Sequence, residues 1–99
     1  MKNFYEIFEY LQSRDSKKRM VAAWGVDDHT ISAASQAIDL GLVEVILVGD
    51  EKMIAEVCHN ENIDSAKFTI VHNPVELSAV AQAVQMVRDG EGDFLMKGL

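Results

Sequence analysis

The chain has 99 residues, of which 48% are hydrophobic and 25% charged, with one proline and six glycines, which indicates a small globular domain and excludes a disordered or collagen-like protein. Its net charge is −7, and residues 21–99 carry four basic and thirteen acidic side chains. Because an acidic surface repels phosphate backbones and anionic lipid, we expect no nucleic-acid partner and no membrane partner.

The first part of the chain passes from a helix pattern to a strand pattern and back. Apolar residues spaced i, i+3, i+4 and i+7 predict an amphipathic helix over about residues 3–13. The short apolar run Met20–Trp24 predicts a strand that is buried on both faces. Asp27 or Asp28 is suited to cap a second helix that runs to about Leu40, since a carboxylate accepts the free amide hydrogens of a first helical turn.

The second strand is the clearest one, because residues 42–48 are rich in β-branched side chains. Gly41 before it is suited to end the preceding helix, and Asp50 after it is suited to cap a third helix. The apolar face of that third helix is predicted to comprise Met53, Ile54, Val57 and Cys58.

The last two strands, over residues 68–71 and 94–96, flank a fourth helix. The start of this helix carries the strongest capping pattern of the chain, with Asn73 as N-cap, Pro74 at the first helical position and Glu76 in the capping-box position. The core stripe of the fourth helix is predicted to be Leu77, Val80, Ala81, Val84 and Val87.

The resulting order, α-β-α-β-α-β-α-β, predicts a helix-first α/β fold. Alternation of this kind is typical of a three-layer αβα arrangement, in which a mainly parallel sheet carries helices on both faces and the connections are right-handed. The strand order is left open by these patterns. Ligands bind beyond the carboxyl ends of the strands in such sheets, so the residues that follow each strand are the candidates for a site.

The residues at the end of the fourth strand are the most suggestive of these candidates. Lys97 follows a buried strand and precedes Gly98, where the backbone can approach a ligand closely. A cation in this position suits an anionic substrate. The alternative is a surface lysine in a turn, and position alone does not separate the two interpretations.

Several other classes of site are disfavoured. No G-x-G-x-x-G follows the first strand and no G-x-x-x-x-G-K-[ST] occurs in the chain, which argues against a dinucleotide site of the usual kind and against a P-loop. His29, His59 and His72 lie far apart, and we interpret Asp27 and Asp28 as a helix cap, so we expect no metal site.

The single cysteine and the N-terminal stretch indicate the cellular compartment of the protein. Cys58 has no partner for an internal disulfide and no neighbouring cation at helical spacing, so we interpret it as a buried structural thiol. No apolar run approaches the roughly 20 residues of a membrane span, and Glu6 and Glu9 interrupt the N-terminal stretch, which is unlike a signal peptide. We expect a cytoplasmic protein.

The end of the chain resembles a known family. Gly90–Leu99 is similar to the G-x-A-D-x-L-M-K-G-L-V segment of the phosphate butyryltransferases, the branch of the phosphate acyltransferases related to phosphotransacetylase. Upstream, Ala22–Asp27 resembles the family's A-x-A-x-x-D segment and Val45–Asp50 its I-L-V-G-D segment, while Glu61–Asp64 also fits. The resemblance covers the whole chain in register.

The resemblance implies reversible transfer of a butyryl or related short or branched acyl group between coenzyme A and inorganic phosphate. The acyl phosphate would pass to an acyl kinase. It also implies a homo-oligomer that needs no metal or organic cofactor, with the coenzyme A thioester as a substrate. Residues 1–99 would form the N-terminal part of the first α/β domain of a two-domain enzyme, and this part alone is expected to be inactive.

Carried over residue by residue, the resemblance assigns Met96, Lys97, Gly98 and, more weakly, Asp27 to substrate binding, and it assigns no catalytic residue. The family's main catalytic and phosphate-binding residues lie further along its members' chains. Trp24 and its neighbour Gly25 depart from the small, Ala-rich family pattern.

A different function stays open as the alternative, namely a small non-catalytic α/β binding or receiver-like module. The pair Asp27 and Asp28 after the first strand resembles the acidic cluster of response-regulator receivers. A receiver also needs a phosphoacceptor aspartate at the end of its third strand, and His72 stands there instead.

Overall fold

The computed structural model describes Glu6 and residues 17–98. Strands and helices alternate along residues 17–98, as predicted. They are, in chain order, β1 (Lys18–Ala23), α1 (Asp28–Asp39), β2 (Val43–Gly49), α2 (Glu51–Asn60), a 3₁₀ turn (Ser65–Lys67), β3 (Thr69–His72), α3 (Glu76–Arg88) and β4 (Phe94–Lys97). The helix predicted over residues 3–13 lies outside the described residues except for Glu6, which is helical and exposed.

The four strands form one parallel sheet in the order β3-β2-β1-β4. The chain builds β1, β2 and β3 outward in one direction and then returns through α3 to place β4 on the other side of β1. The direction of the connections therefore reverses between β1 and β4. In sheets of this kind a ligand crevice forms outside the carboxyl ends of the strands at that reversal.

Helices cover both faces of the sheet. On one face, Ile31 from α1 packs in a core cluster with Ile54 and Cys58 from α2. On the other face, a second cluster contains Ala79 and Ala83 from α3. The three layers and the parallel sheet confirm the predicted fold class.

Two helix starts and one helix end match their predicted residues. Of the two candidates for the cap of α1, Asp27 is the N-cap, and its Oδ2 accepts the Thr30 N–H at 2.9 Å. Asp50 caps α2, because its Oδ1 accepts the Lys52 N–H at 2.9 Å. Gly41 follows α1 with φ +74°, a conformation that glycine adopts without steric cost.

The predicted start of α3 is wrong. The helix begins at Glu76 with Val75 as N-cap and without a side-chain cap, so Asn73 is not the N-cap, Pro74 lies before the helix and Glu76 forms no capping box. The reason is that the Oδ1 atom of Asn73 accepts the Val75 N–H at 3.3 Å. Asn73 therefore forms a turn ahead of the helix, as asparagine side chains often do.

The predicted core stripe of α3 is also partly wrong. Leu77 is 84% exposed and Ala81 is exposed, whereas Ala79 and Ala83 are fully buried. These two alanines lie one turn apart, so the helix approaches the sheet on a face of small side chains. Met53 on α2, also predicted to face the core, is 42% exposed, because the buried residues of α2 are Ile54 and Cys58.

Candidate functional site

The carboxyl edge of the sheet brings together the four segments that follow the strands. These are Trp24–Asp27 after β1, Asp50 after β2 with the strand's last residue Gly49, Asn73 after β3 with the strand's last residue His72, and Gly98 after β4. Backbone hydrogen bonds join neighbouring segments, since the Asn73 N–H donates to the Gly49 carbonyl at 2.8 Å and the Gly98 N–H donates to the Ala23 carbonyl at 2.8 Å. The sequence-predicted candidates at this edge therefore occupy one continuous rim.

Gly98 fixes the geometry between β1 and β4. It is buried, and a Cβ atom at this position would collide with the carbonyl oxygen of Trp24 and lie 2.9 Å from its carbonyl carbon. The same Cβ would lie 3.2 Å from the Cα of Gly25. Because these obstacles are backbone atoms, a larger residue would force the two strand ends apart. The glycine at position 98 is thus required by the close contact between these chain segments.

Trp24 turns the chain at the end of β1 in a conformation that is rare for a bulky side chain. Its φ is +54°, in the left-handed region, and its N–H donates to the Val48 carbonyl at 2.8 Å. The ring packs against both core clusters, and its Cε3 atom lies 3.6 Å from the Cβ position of Gly49. The ring therefore packs close to the end of β2.

Lys97 places its ammonium group in solvent at the end of β4. Its Nζ lies 3.4 Å from the Glu76 Oε2, and the side chains of Lys97 and Glu76 are 42% and 52% exposed. The neighbouring Met96 side chain is only 3% exposed and packs in the α1/α2 core cluster. The assignment of Met96 to substrate binding stays a prediction, and with the side chain in the core it rests on the backbone.

The other predicted site residue, Asp27, is half-buried and serves as the N-cap of α1 through its bond to the Thr30 N–H. A substrate could contact this carboxylate only at positions that the hydrogen bond to Thr30 does not occupy. The role of Asp27 as a substrate contact therefore also stays a prediction.

Two further candidates have structural roles. The Nδ1 atom of His72 accepts the Glu51 N–H at 3.1 Å and so joins the end of β3 to the first turn of α2. Cys58 is buried as predicted, and burial, assisted by the negative charge of Asp64, raises the pKa of its thiol. A thiol with a raised pKa is a poor nucleophile near neutral pH.

The Lys97–Glu76 contact was missed by the sequence analysis. The two residues are 21 positions apart and meet only because α3 returns across the sheet to deliver β4 beside β1. The pattern that could have predicted this contact is a carboxylate in the first turn of a helix combined with a lysine at the end of the following strand. The capping-box pattern predicts a different role for that carboxylate, namely a bond to the helix start.

A separate cleft of about 320 Å³ lies at the opposite, amino edge of the sheet and is lined in part by Lys17, Arg19 and Lys67. Two of its cations have protein partners. Lys67 Nζ donates to Asp39 Oδ1 at 2.7 Å, and the Arg19 guanidinium donates through Nη2 to the Gly90 carbonyl at 2.8 Å. The Arg19 backbone N–H donates to the Asp93 carboxylate at 2.9 Å, and this bond is the main cause of the lowered pKa of Asp93. The carboxyl edge is therefore the better candidate site, on the rule for parallel sheets.

Glu6 and residues 17–98 contain no group of three His, Cys, Asp or Glu side chains placed to hold a metal ion. In the same residues no helix is both long and apolar enough to cross a membrane.

Comparison with known proteins is decisive for the family. The family model described as phosphate acetyl/butaryl transferase matches residues 3–79. The chain belongs to this family. Among its relatives, the phosphate butyryltransferase of Clostridium beijerinckii is 34% identical over 98 residues, and the phosphate acetyltransferase of Rhizobium meliloti is 35% identical over 78 residues.

These matches cover most of this chain but only part of each relative. They include 99% of this chain and 32% of the C. beijerinckii protein, and 79% of this chain and 25% of the R. meliloti protein. The chain thus spans about a third or less of the curated relatives that it matches. The EutD phosphotransacetylase from Staphylococcus aureus shares the fold, with a TM-score of 0.70 at 17% identity over 99% of this chain and 38% of its own.

Proposed function

We propose that this chain forms one wall of the active site of a phosphate acyltransferase. The enzyme moves a butyryl or related short or branched acyl group between coenzyme A and inorganic phosphate. The observation that carries this proposal is the exposed Lys97 ammonium at the carboxyl end of β4. It lies where the direction of the connections reverses between β1 and β4, and where Gly98 packs closely against the backbone of Trp24. Membership of the phosphate acetyl/butaryl transferase family supports the reaction class.

The reaction sets the demands on such a site. In one direction the coenzyme A thiolate attacks the acyl carbonyl of an acyl phosphate, a C–S bond forms, and the C–O bond to phosphate breaks after a tetrahedral intermediate. The site must hold a phosphate dianion, stabilise the developing oxyanion and help to ionise the thiol. Lys97 can supply one positive charge toward the phosphate or toward the phosphate groups of coenzyme A.

The described carboxyl edge cannot meet these demands alone, because its charge is mainly negative. Two lysines stand there with five carboxylates: Lys52 and Lys97, with Asp27, Asp28, Asp50, Glu51 and Glu76. An anionic substrate gains little from such a field. The remaining donors therefore come from the other parts of an enzyme whose relatives are about three times as long, and this chain is the N-terminal part of its first α/β domain.

The remaining features of the proposal are those that the resemblance to this family implies. Acyl-CoA and inorganic phosphate are the substrates, and the transfer uses no metal or organic cofactor. The enzyme works in the cytoplasm as a homo-oligomer, and an acyl kinase consumes the acyl phosphate.

The receiver-like alternative finds less support. In the flavodoxin-like order of receivers, β1 lies between β2 and β3, whereas here β1 lies between β2 and β4. The residue at the end of β3 is His72, whose Nδ1 is engaged by the Glu51 N–H. Neither feature suits a phosphoacceptor site.

An activity assay tests the proposal. With butyryl-CoA, phosphate and a thiol reagent, a full-length acyltransferase that carries this chain is expected to release coenzyme A, and omission of phosphate should abolish the release. The 99-residue chain alone should give no turnover, because one lysine cannot replace the missing donors. Comparable turnover by the chain alone would contradict this division of the site, and a cooperatively folded full-length protein without phosphate-dependent turnover would refute the function.

A further inference from the structure

The carboxylate of Glu76 contacts the cation of the candidate site. The ion pair between Glu76 Oε2 and Lys97 Nζ, at 3.4 Å, joins the first turn of α3 to the last residue of β4. An incoming anion that used the Lys97 ammonium would approach the position that the Glu76 carboxylate already takes. The two negative groups would then repel each other.

We propose that Glu76 masks Lys97 in the unliganded enzyme and that the phosphoryl oxygens of the substrate displace it. This inference rests on the proposed function, since it requires Lys97 to meet an anionic substrate. Glu76 acts through Lys97 and is therefore a positioning residue. It sets how much positive charge the end of β4 presents to phosphate.

The geometry of the pair suits exchange with a ligand. Its 3.4 Å separation exceeds the 2.7 Å between Lys67 Nζ and Asp39 Oδ1, where the lysine side chain is only 22% exposed. Lys97 and Glu76 are both roughly half exposed, so water screens their attraction. A phosphate dianion can compete with one carboxylate under these conditions, whereas a buried pair would resist displacement.

The start of α3 adds to the effect of Glu76. Val75 provides no side-chain cap, so the first amide hydrogens of α3 and the positive end of its dipole face the carboxyl edge without a capping side chain. The negative charge of Glu76 offsets both the positive end of this dipole and the positive charge of Lys97. With glutamine in place of Glu76, both the Lys97 ammonium and the helix dipole would attract an anion more strongly.

Substitution of Glu76 tests the inference in a full-length acyltransferase that carries this chain. Glu76→Gln keeps the shape of the side chain and removes its charge, so the KM for the substrate that meets Lys97 should fall about two- to fivefold, the scale of one exposed ion pair, with kcat unchanged. KM is measured separately for phosphate and for acyl-CoA, and the one that falls identifies the phosphoryl group at Lys97. The matched control is Glu91→Gln, an exposed glutamate beside Gly90, whose carbonyl accepts from Arg19 at the amino edge.

A second substitution separates the failure of this inference from the failure of the proposed function. In a Lys97→Ala background, Glu76→Gln should lower KM by a clearly smaller factor than in the parent enzyme, because only the helix dipole then gains from the lost charge. If Lys97→Ala impairs the reaction but Glu76→Gln alone lowers neither KM, the masking role of Glu76 is wrong and the proposed site stands. If Lys97→Ala leaves all kinetic constants unchanged, Lys97 lies outside the site, and the masking role of Glu76 falls together with this placement of the site, whereas the acyl-transfer function is refuted only by the absence of phosphate-dependent turnover.

Discussion

Ile54→Ala is expected to lower the free energy of unfolding of this chain by about 2–5 kcal/mol, the usual cost of truncating a buried aliphatic side chain to alanine. Ile54 is fully buried in the cluster that joins α2 to the sheet. A domain of this size has a total stability of only about 5–15 kcal/mol. The loss should therefore be plain in urea unfolding followed by circular dichroism.

Leu77→Ala is the matched control, because it removes a side chain of equal size from the first turn of α3. Leu77 is 84% exposed, so the free energy of unfolding should change by no more than about 0.5 kcal/mol. Ile54→Val provides a milder core change of about 0.5–1.5 kcal/mol if the alanine variant does not fold. Equal losses at Ile54 and Leu77 would contradict the observed orientation of α3.

Lys97→Ala should reduce kcat/KM of the full-length acyltransferase roughly 10- to 150-fold. This corresponds to about 1.5–3 kcal/mol, the scale for losing one hydrogen bond from a charged group to an anion. Stability should barely change, because the ion pair to Glu76 is exposed and contributes at most about 1 kcal/mol. Steady-state constants for both substrates, measured beside a thermal melt, check both parts of this expectation.

Lys52→Ala is the control for Lys97→Ala. Lys52 is an exposed lysine in the first turn of α2 at the same edge of the sheet, so its removal changes the net charge equally. We expect it to leave kcat/KM close to that of the parent enzyme. Equal effects of the two substitutions would mean that only the general field matters, and unchanged kinetics in Lys97→Ala would make Lys97 an ordinary surface lysine.

The local structure of this chain could be predicted where one short pattern determines it. Asp50 caps α2 and Gly41 ends α1 because a carboxylate before a helix and a glycine after one have few alternatives. The pattern failed at Asn73, whose side chain has two ways to satisfy nearby amide hydrogens. The sequence does not show which amide the Oδ1 atom accepts, and the structure shows that it is that of Val75.

Features that depend on tertiary contacts could not be predicted. Periodicity identifies an apolar stripe on α3 but does not reveal that the alanines at 79 and 83 face the sheet while Leu77 faces solvent. The strand order depends on the return of α3 across β2 and β1, and that return creates the pair between Lys97 and Glu76. The Lys-Gly sequence itself indicates the carboxyl edge, because a lysine and a glycine at a strand end are local features, and this placement of the site stays a prediction.

The central claim is that the acyl-transfer site includes the carboxyl ends of β1 and β4. A crystal structure of a full-length acyltransferase carrying this chain, with coenzyme A and phosphate bound, tests it most directly. We expect a phosphoryl oxygen within hydrogen-bond distance of the Lys97 Nζ and the Glu76 carboxylate turned away from it. Ligand bound in the amino-edge cleft beside Arg19 and Lys67, with the Lys97–Glu76 pair intact, would contradict the claim.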